Sequence, residues 1–369
     1  MSPKIVHLIT TIERGGAEKQ LLTLAREQVK AGFDIEILYL KGNPELKNEF
    51  EGAGATVNPM LAEISFLRQI SLLRKHLLCK GNFVHAHLPR AELLAALSCH
   101  KNAFIFSRHN AEAFWPGAPR FFSILLSRFV AIRAARGIAI SHAVKKFVLS
   151  NLEITHRYPF DVVYYGFDTH SDRNGRRFNH FSESISKSST QLNIGTIGRL
   201  VPQKDYPTLI KAFALAAKTE QNLELFVIGE GFLDSQLNDL SADLMIEDKI
   251  HFLGKTEFIE EFLEVIDVFV LTSNYEGFGL VLLEAMSANL PILVANNSAI
   301  PEVVGSDYPG LFNTGDFTML SKMMIDLRSQ SERKKLADIV SSRLPIFAPN
   351  IMVYKISDIY NLAWGNKFF

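Results

Sequence analysis

Short β-branched or apolar runs alternate with helix-length segments along almost the whole chain, and the alternation breaks once. Runs over residues 4–9, 33–40, 82–87, 103–107, 137–141 and 161–165 read as strands, with helical patterns such as 17–31, 66–79 and 120–135 between them. Alternation at this spacing predicts a parallel sheet with right-handed crossovers. After Tyr165 comes Gly166-Phe167-Asp168, then a polar stretch to Thr190 with Ser182, Ser184, Ser186, Ser188 and Ser189, which reads as a linker. Strands resume over 192–197, 223–228, 249–253, 268–271 and 291–294. Two α/β domains of similar size are expected, which suits 369 residues. Such sheets bind ligands at the carboxyl ends of their strands, so two facing domains would place the site in the cleft between them.

Composition narrows the class. Hydrophobic residues make up 47% of the chain, enough for sizeable cores. Cys79 and Cys99 cannot build a disulfide framework, which fits a reducing, cytoplasmic compartment. No apolar run reaches the ~18–20 residues a membrane span needs. The first residues lack the basic region and cleavage site of a signal peptide. Lys plus Arg and Asp plus Glu are 39 each, yet residues 1–168 carry +7 and residues 169–369 carry −7. Residues 64–152 carry +11, with Glu92 and Glu112 their only acids. The first half could face an anionic partner, or it could be an ordinary solvated surface; charge alone leaves both open.

Several motifs fail. Gly254-Lys255-Thr256 resembles the end of a P-loop, but Lys249 stands where the earlier glycine belongs. Gly229-Glu230-Gly231 is followed by Asp234 where a dinucleotide fingerprint has its third glycine. His85 and His87 share a face of one strand, but two histidines make no zinc site and no neighbouring Cys, Asp or Glu completes one. No Asp-x-Asp pair occurs, so a carboxylate-held divalent metal is not suggested.

The segment 273–286, Ser-Asn-Tyr-Glu-Gly-Phe-Gly-Leu-Val-Leu-Leu-Glu-Ala-Met, carries more chemistry. It follows a strand and opens a helix. The N–H groups of Gly277, Phe278, Gly279 and Leu280, with the helix dipole, would make an anion site. Glu276 precedes the helix, and Glu284 is expected two turns inside it, where a carboxylate needs partners such as sugar hydroxyls. The plain alternative is a cap and a backbone contact. A second cluster, Gly198-Arg199-Leu200-Val201-Pro202-Gln203-Lys204-Asp205, puts two cations on one strand-end loop. That suits a diphosphate, although pairing with Asp205 would explain them too. Gly15-Gly16-Ala17-Glu18 is a third glycine turn into a helix, and His109 stands at the end of a fourth strand.

Taken together, these strings resemble the family-4, group 1 retaining glycosyltransferases of GT-B fold, nearly end to end, from Gly15-Gly16-Ala17-Glu18 to Pro301-Glu302-Val303-Val304. The resemblance implies two Rossmann-like doubly wound domains facing across a cleft. Residues 1–165, joined by a C-terminal helix over about 352–369, would bind the acceptor, and residues 166–351 the nucleotide sugar. Arg199 and Lys204 would hold the diphosphate, Glu284 the ribose, and Glu276 the donor sugar. Gly277, Phe278, Gly279 and Leu280 would offer backbone donors to sugar and phosphate. Gly229, Glu230, Gly231, Phe252 and Leu253 would flank the base, Gly16 would approach the diphosphate, and His109 would sit beside the reacting carbon. His85, His87, Arg90 and Ser141 would lie on the acceptor side. Where the family often has a glycine pair before Pro301-Glu302, this chain has Asn297-Ser298-Ala299-Ile300, so donor preference does not carry across.

The implied activity is transfer of a hexose or N-acetylhexosamine from a nucleotide sugar, UDP favoured by family frequency, to a glycan or lipid-linked glycan in cell-surface polysaccharide, lipopolysaccharide or glycoprotein assembly. No metal or other cofactor is expected, because Arg, Lys and helix-start donors can stabilise the departing diphosphate. Residues 120–136 mix basic and bulky apolar residues without an acid, as an interfacial helix on anionic lipid would; a core helix with a basic edge would look the same. The expected location is cytoplasmic, with peripheral contact at the inner membrane face. The alternatives are a GT-B nucleotide-sugar 2-epimerase and a non-catalytic nucleotide-sugar binder. Nucleic-acid binding has no motif behind it.

Overall fold

Apolar runs of one strand each, separated by helices, build two all-parallel sheets in the computed structural model, which describes residues 4–78, 83–168, 180, 181, 185 and 190–365. Two compact units result, residues 1–168 with 346–369, and residues 169–345.

The first unit runs β1 (Lys4–Ile9), α1 (Gly16–Lys30), β2 (Asp34–Tyr39), α2 (Lys47–Gly52), β3 (Thr56–Asn58), α3 (Phe66–Leu78), β4 (Phe83–His87), α4 (Pro89–Ser98), β5 (Phe104–Arg108), α5 (Arg120–Arg133), β6 (Arg136–Ala139), α6 (His142–Ser150) and β7 (Phe160–Val162). Its sheet order is β3-β2-β1-β4-β5-β6-β7. The order reverses at β1 and β4, whose register sets His7 beside His85. Both faces are covered, so the inner strands are nearly continuous in apolar residues.

The second unit runs β8 (Leu192–Ile197), α7 (Tyr206–Ala217), β9 (Leu223–Ile228), α8 (Asp234–Asp243), β10 (Ile250–Phe252), α9 (Ile259–Val265), β11 (Val268–Leu271), α10 (Leu280–Ser287), β12 (Ile292–Ala295), α11 (Ile300–Val304), β13 (Leu311–Phe312), α12 (Phe317–Asp326) and α13 (Gln330–Ser341). Its order, β10-β9-β8-β11-β12-β13, repeats the doubly wound pattern. The last helix, α14 (Pro349–Trp364), packs on α1 in the first unit.

Expected and observed strands agree within one to three residues, with three differences of substance. β3 and β13 were not expected; edge strands of three and two residues carry too little periodicity to read. The run over 137–141 ends as a strand at Ala139, and Ser141 instead caps α6, accepting from the Val144 N–H at 3.0 Å. The last helix begins at Pro349, not near 352, because proline suits the first helical turn. Cys79 and Ser182, Ser184, Ser186, Ser188 and Ser189 lie outside the described residues. No described helix is long and apolar enough to cross a membrane.

Candidate active site

In the second unit, β8 and β11 are neighbours, so the loops at their carboxyl ends meet although 72 residues separate them in sequence. Lys204 Nζ lies 2.6 Å from Glu276 Oε1, and the Ser273 hydroxyl donates to the same oxygen at 2.7 Å. Glu276 is only 7% exposed, so its charge needs these partners. The surrounding bonds fix both loops. Thr272 Oγ1 donates to the Lys204 and Asp205 carbonyls, Gln203 Nε2 to the Tyr275 carbonyl, and Ser298 Oγ to the Glu276 carbonyl. Asp205 does not neutralise either cation; it takes a left-handed conformation, φ 47°, and accepts from Thr208 Oγ1. Arg199 is exposed, and its side chain has no ion pair or hydrogen bond among the described residues.

Gly279, at φ 88°, turns the chain into α10, and the backbone N–H groups that open the helix follow it. Glu284 is the fifth residue of α10, one turn inside rather than the expected two, because the helix starts late, at Leu280. The loops after β8, β9 and β10 are stitched together. Leu200 N donates to the Glu230 carbonyl and Gly229 N to that of Gly254. A Cβ on Gly229, whose φ is +147°, would stand 1.9 Å from the Gly198 oxygen, and one on Gly231 2.3 Å from that of Leu200. Only glycine admits this approach. Phe252 and Leu253 close the same strand-end cluster, with Leu253 N bonded to the Val227 carbonyl. So Arg199, Lys204, Gly229, Glu230, Gly231, Phe252, Leu253, Glu276 and the start of α10 all stand at the carboxyl ends of β8, β9, β10 and β11.

In the first unit Gly16 opens α1, as expected, but the helix carries its own acid. Glu18 folds back so closely that a Cβ on Gly15 would meet its Oε2 at 2.2 Å, and Thr11 Oγ1 donates to its Oε1 at 2.6 Å. His85 and His87 are 0% and 2% exposed, hence core residues. A third histidine, His7 on β1, joins them; in the sequence it is a single polar residue within an apolar strand. His109 is buried with both ring nitrogens engaged, Nδ1 with the Tyr165 hydroxyl at 2.6 Å and Nε2 with His87 Nδ1 at 3.1 Å. Burial holds His7 down to about 4 and His109 to about 3, and keeps His85 and His87 well below the usual range. All four rings are neutral at physiological pH.

The basic stretch proves to be partly structural. Arg108 is buried between Glu92 and Glu153, at 2.9 and 3.2 Å, and burial pushes the Glu92 carboxyl up to about 7. Arg74, Arg128 and Arg133 donate to backbone carbonyls, and Arg136 pairs with Asp161. Arg90 lies over the Phe66 ring at 5.6 Å. Around α5, by contrast, Phe121, Phe122, Leu125, Phe129 and Ile132 are exposed.

Comparison with known proteins agrees with both halves. The family described as "Glycosyltransferase Family 4" matches residues 14–171, and "Glycosyl transferases group 1" matches residues 178–339. The capsular polysaccharide biosynthesis glycosyltransferase CapM of Staphylococcus aureus is 24% identical over 97% of both chains. N-acetyl-alpha-D-glucosaminyl L-malate synthase of Bacillus anthracis is 36% identical over 34% of this chain and 32% of its own. Anabaena HepE, solved in complex with UDP and glucose, superposes with a TM-score of 0.74 at 19% identity, covering 97% of this chain and 99% of its own. TarM gives 0.78 at 12% identity over 98% and 99%. With two doubly wound parallel sheets and both family signatures in order, the chain belongs to the group 1, family 4 glycosyltransferases and has the GT-B fold.

Proposed function

We propose that this glycosyltransferase moves a hexose or N-acetylhexosamine, with retention and without a metal, from a UDP-sugar to a glycan or lipid-linked glycan of a cell-surface polymer. The observation that carries the reading is the strand-end cluster of Arg199, the Lys204–Glu276 pair and the α10 start. Cleavage of the sugar–phosphate bond sends its electron pair to the β-phosphate oxygen. Arg199, Lys204 and the helix-start N–H groups stabilise that charge without reorganising. Glu276 orients the donor sugar, and Glu284 takes the ribose hydroxyls. The acceptor oxygen bonds to the sugar carbon on the face the phosphate leaves, and its proton passes to a phosphate oxygen. UDP is supported by the UDP-bound HepE structure, and a surface-polymer acceptor by the name of CapM. Thermal shift with a panel of nucleotide sugars tests the donor site: the preferred donor stabilises the protein, and Glu284→Ala weakens that shift. Equal shifts in both proteins would remove the ribose assignment. Epimer formation without acceptor would favour the 2-epimerase instead.

A second reading concerns the membrane. The five exposed apolar side chains of α5 form a ridge, and Arg120 is exposed at its start. An apolar ridge beside a cation suits the interface of an anionic bilayer, where a lipid-linked acceptor would be met. Flotation with anionic vesicles at low salt should carry the protein up, and Phe121→Ser with Phe122→Ser should leave it below. Equal flotation with neutral vesicles would remove the reading.

A further inference from the structure

The four buried histidines of the first unit belong to a single hydrogen-bond chain, and Gln28 fixes its sense. Gln28 Oε1 lies 2.7 Å from His7 Nε2, and Gln28 Nε2 donates to the Tyr360 hydroxyl at 3.2 Å. An amide oxygen only accepts, and a neutral imidazole has one donor nitrogen and one acceptor. His7 therefore donates from Nε2 and accepts at Nδ1, where His87 Nε2 stands at 3.0 Å. His87 in turn accepts at Nδ1 from His109 Nε2, and His109 accepts at Nδ1 from the Tyr165 hydroxyl. On the other arm Tyr360 donates to His85 Nδ1, and His85 Nε2 to Ser107 Oγ, both at 2.8 Å. Each ring nitrogen is used once, and every ring is an Nε2–H tautomer.

We propose that Gln28, His7 and His87 are positioning residues that act through this chain to lock the His109 ring, so that it can offer a substrate hydroxyl only an acceptor, at Nδ1, in exchange for Tyr165. The inference rests on the reading that His109 meets the substrate. The chain is not a proton conduit, since its ends, Ser107 and Tyr165, are 4% and 7% exposed. Nor is it first a metal site. Ligand atoms of His7, His85 and His87 fall within 4.8 Å of one another, but the lone pairs a metal needs are already accepting hydrogen bonds.

Ring-nitrogen NMR of the full chain with labelled histidine tests the chain without reference to turnover: His7, His85, His87 and His109 should all be neutral Nε2–H tautomers at pH 7.5. His7→Leu removes the acceptor for His87, and should alter the His109 tautomer and lower kcat by about tenfold or more, with donor KM nearly unchanged. His7→Asn, which returns an acceptor near the position of Nδ1, should recover most of the loss. If His7→Leu does not fold, the spectrum of the unaltered protein still decides. An Nδ1–H or cationic His109 would overturn the proposal. So would a folded His7→Leu with unaltered kcat, or cobalt(II) binding with a visible band that His7→Leu abolishes. Absence of transfer with every donor would sink the functional reading while leaving the tautomer result to stand or fall alone.

Discussion

Arg199 and Lys204 share a loop and a charge, yet their substitution should differ in kind. Arg199 is exposed and unpaired among the described residues, so Arg199→Ala should leave stability within about 0.5 kcal/mol. Lys204 balances a carboxylate that is 7% exposed, so Lys204→Met should cost about 3 kcal/mol as well. Both should lower the transfer rate by about 10²–10³. Urea unfolding beside initial rates separates the two; equal stability losses would mean that the ion pair does not hold the loops. Each residue was legible in the sequence, because a cation or a carboxylate beside a strand-end glycine is a local pattern. Their pairing was not, because it depends on β8 lying next to β11 in the sheet. His7 escaped for the same reason: its partners come from β4 and α1, and nothing in its own strand announces them.

Among elements, β1, β4 and the segment after β5 each supply histidines to one buried layer, so the layer should set the acid limit of the fold. The unfolded chain takes up protons as pH falls through 6.5, while the folded rings resist, His7 to about 4 and His109 to about 3. Their contribution is therefore complete above 6.5 and lost as pH falls toward those values. His7 and His109 each lose about 1.4 kcal/mol of that contribution per pH unit within the window, and His85 and His87, lowered by the same burial, act in the same direction. Glu92, held by α4, works oppositely: its value near 7 lies above the ordinary 4.5, so its contribution is complete below 4.5 and lost as pH rises through 7. Burial raises Glu153 on the other side of Arg108 as well, so four rings stand against two carboxyls and outweigh them. The urea midpoint should drop steeply between pH 6.5 and 4, and a flat midpoint there would contradict neutral buried rings. The order of elements could be read from periodicity, but this layer could not, since it arises from the parallel register of β1 against β4.

For the whole molecule, the +7 and −7 halves of the sequence correspond closely to the two compact units, except that the last segment returns to the first. That return has an energetic consequence. On α14, Met352, Val353, Ile356, Ile359 and Tyr360 are each at most 5% exposed and sit in the core of the first unit with residues of β1, β2 and α1. At about 2 kcal/mol per buried side chain, removing them costs about 10 kcal/mol. That is comparable to the ~5–15 kcal/mol of an entire domain. The same cut removes the Tyr360 hydroxyl that joins Gln28 to His85. A chain ending at Pro345 should therefore lose the first unit selectively. Hydrogen exchange should show β1, β2 and α1 amides unprotected while β8, β9 and β11 keep their protection, because the second unit has its own sheet and core. Native protection of β1 in the shortened chain would mean that α14 is an accessory and not part of that core.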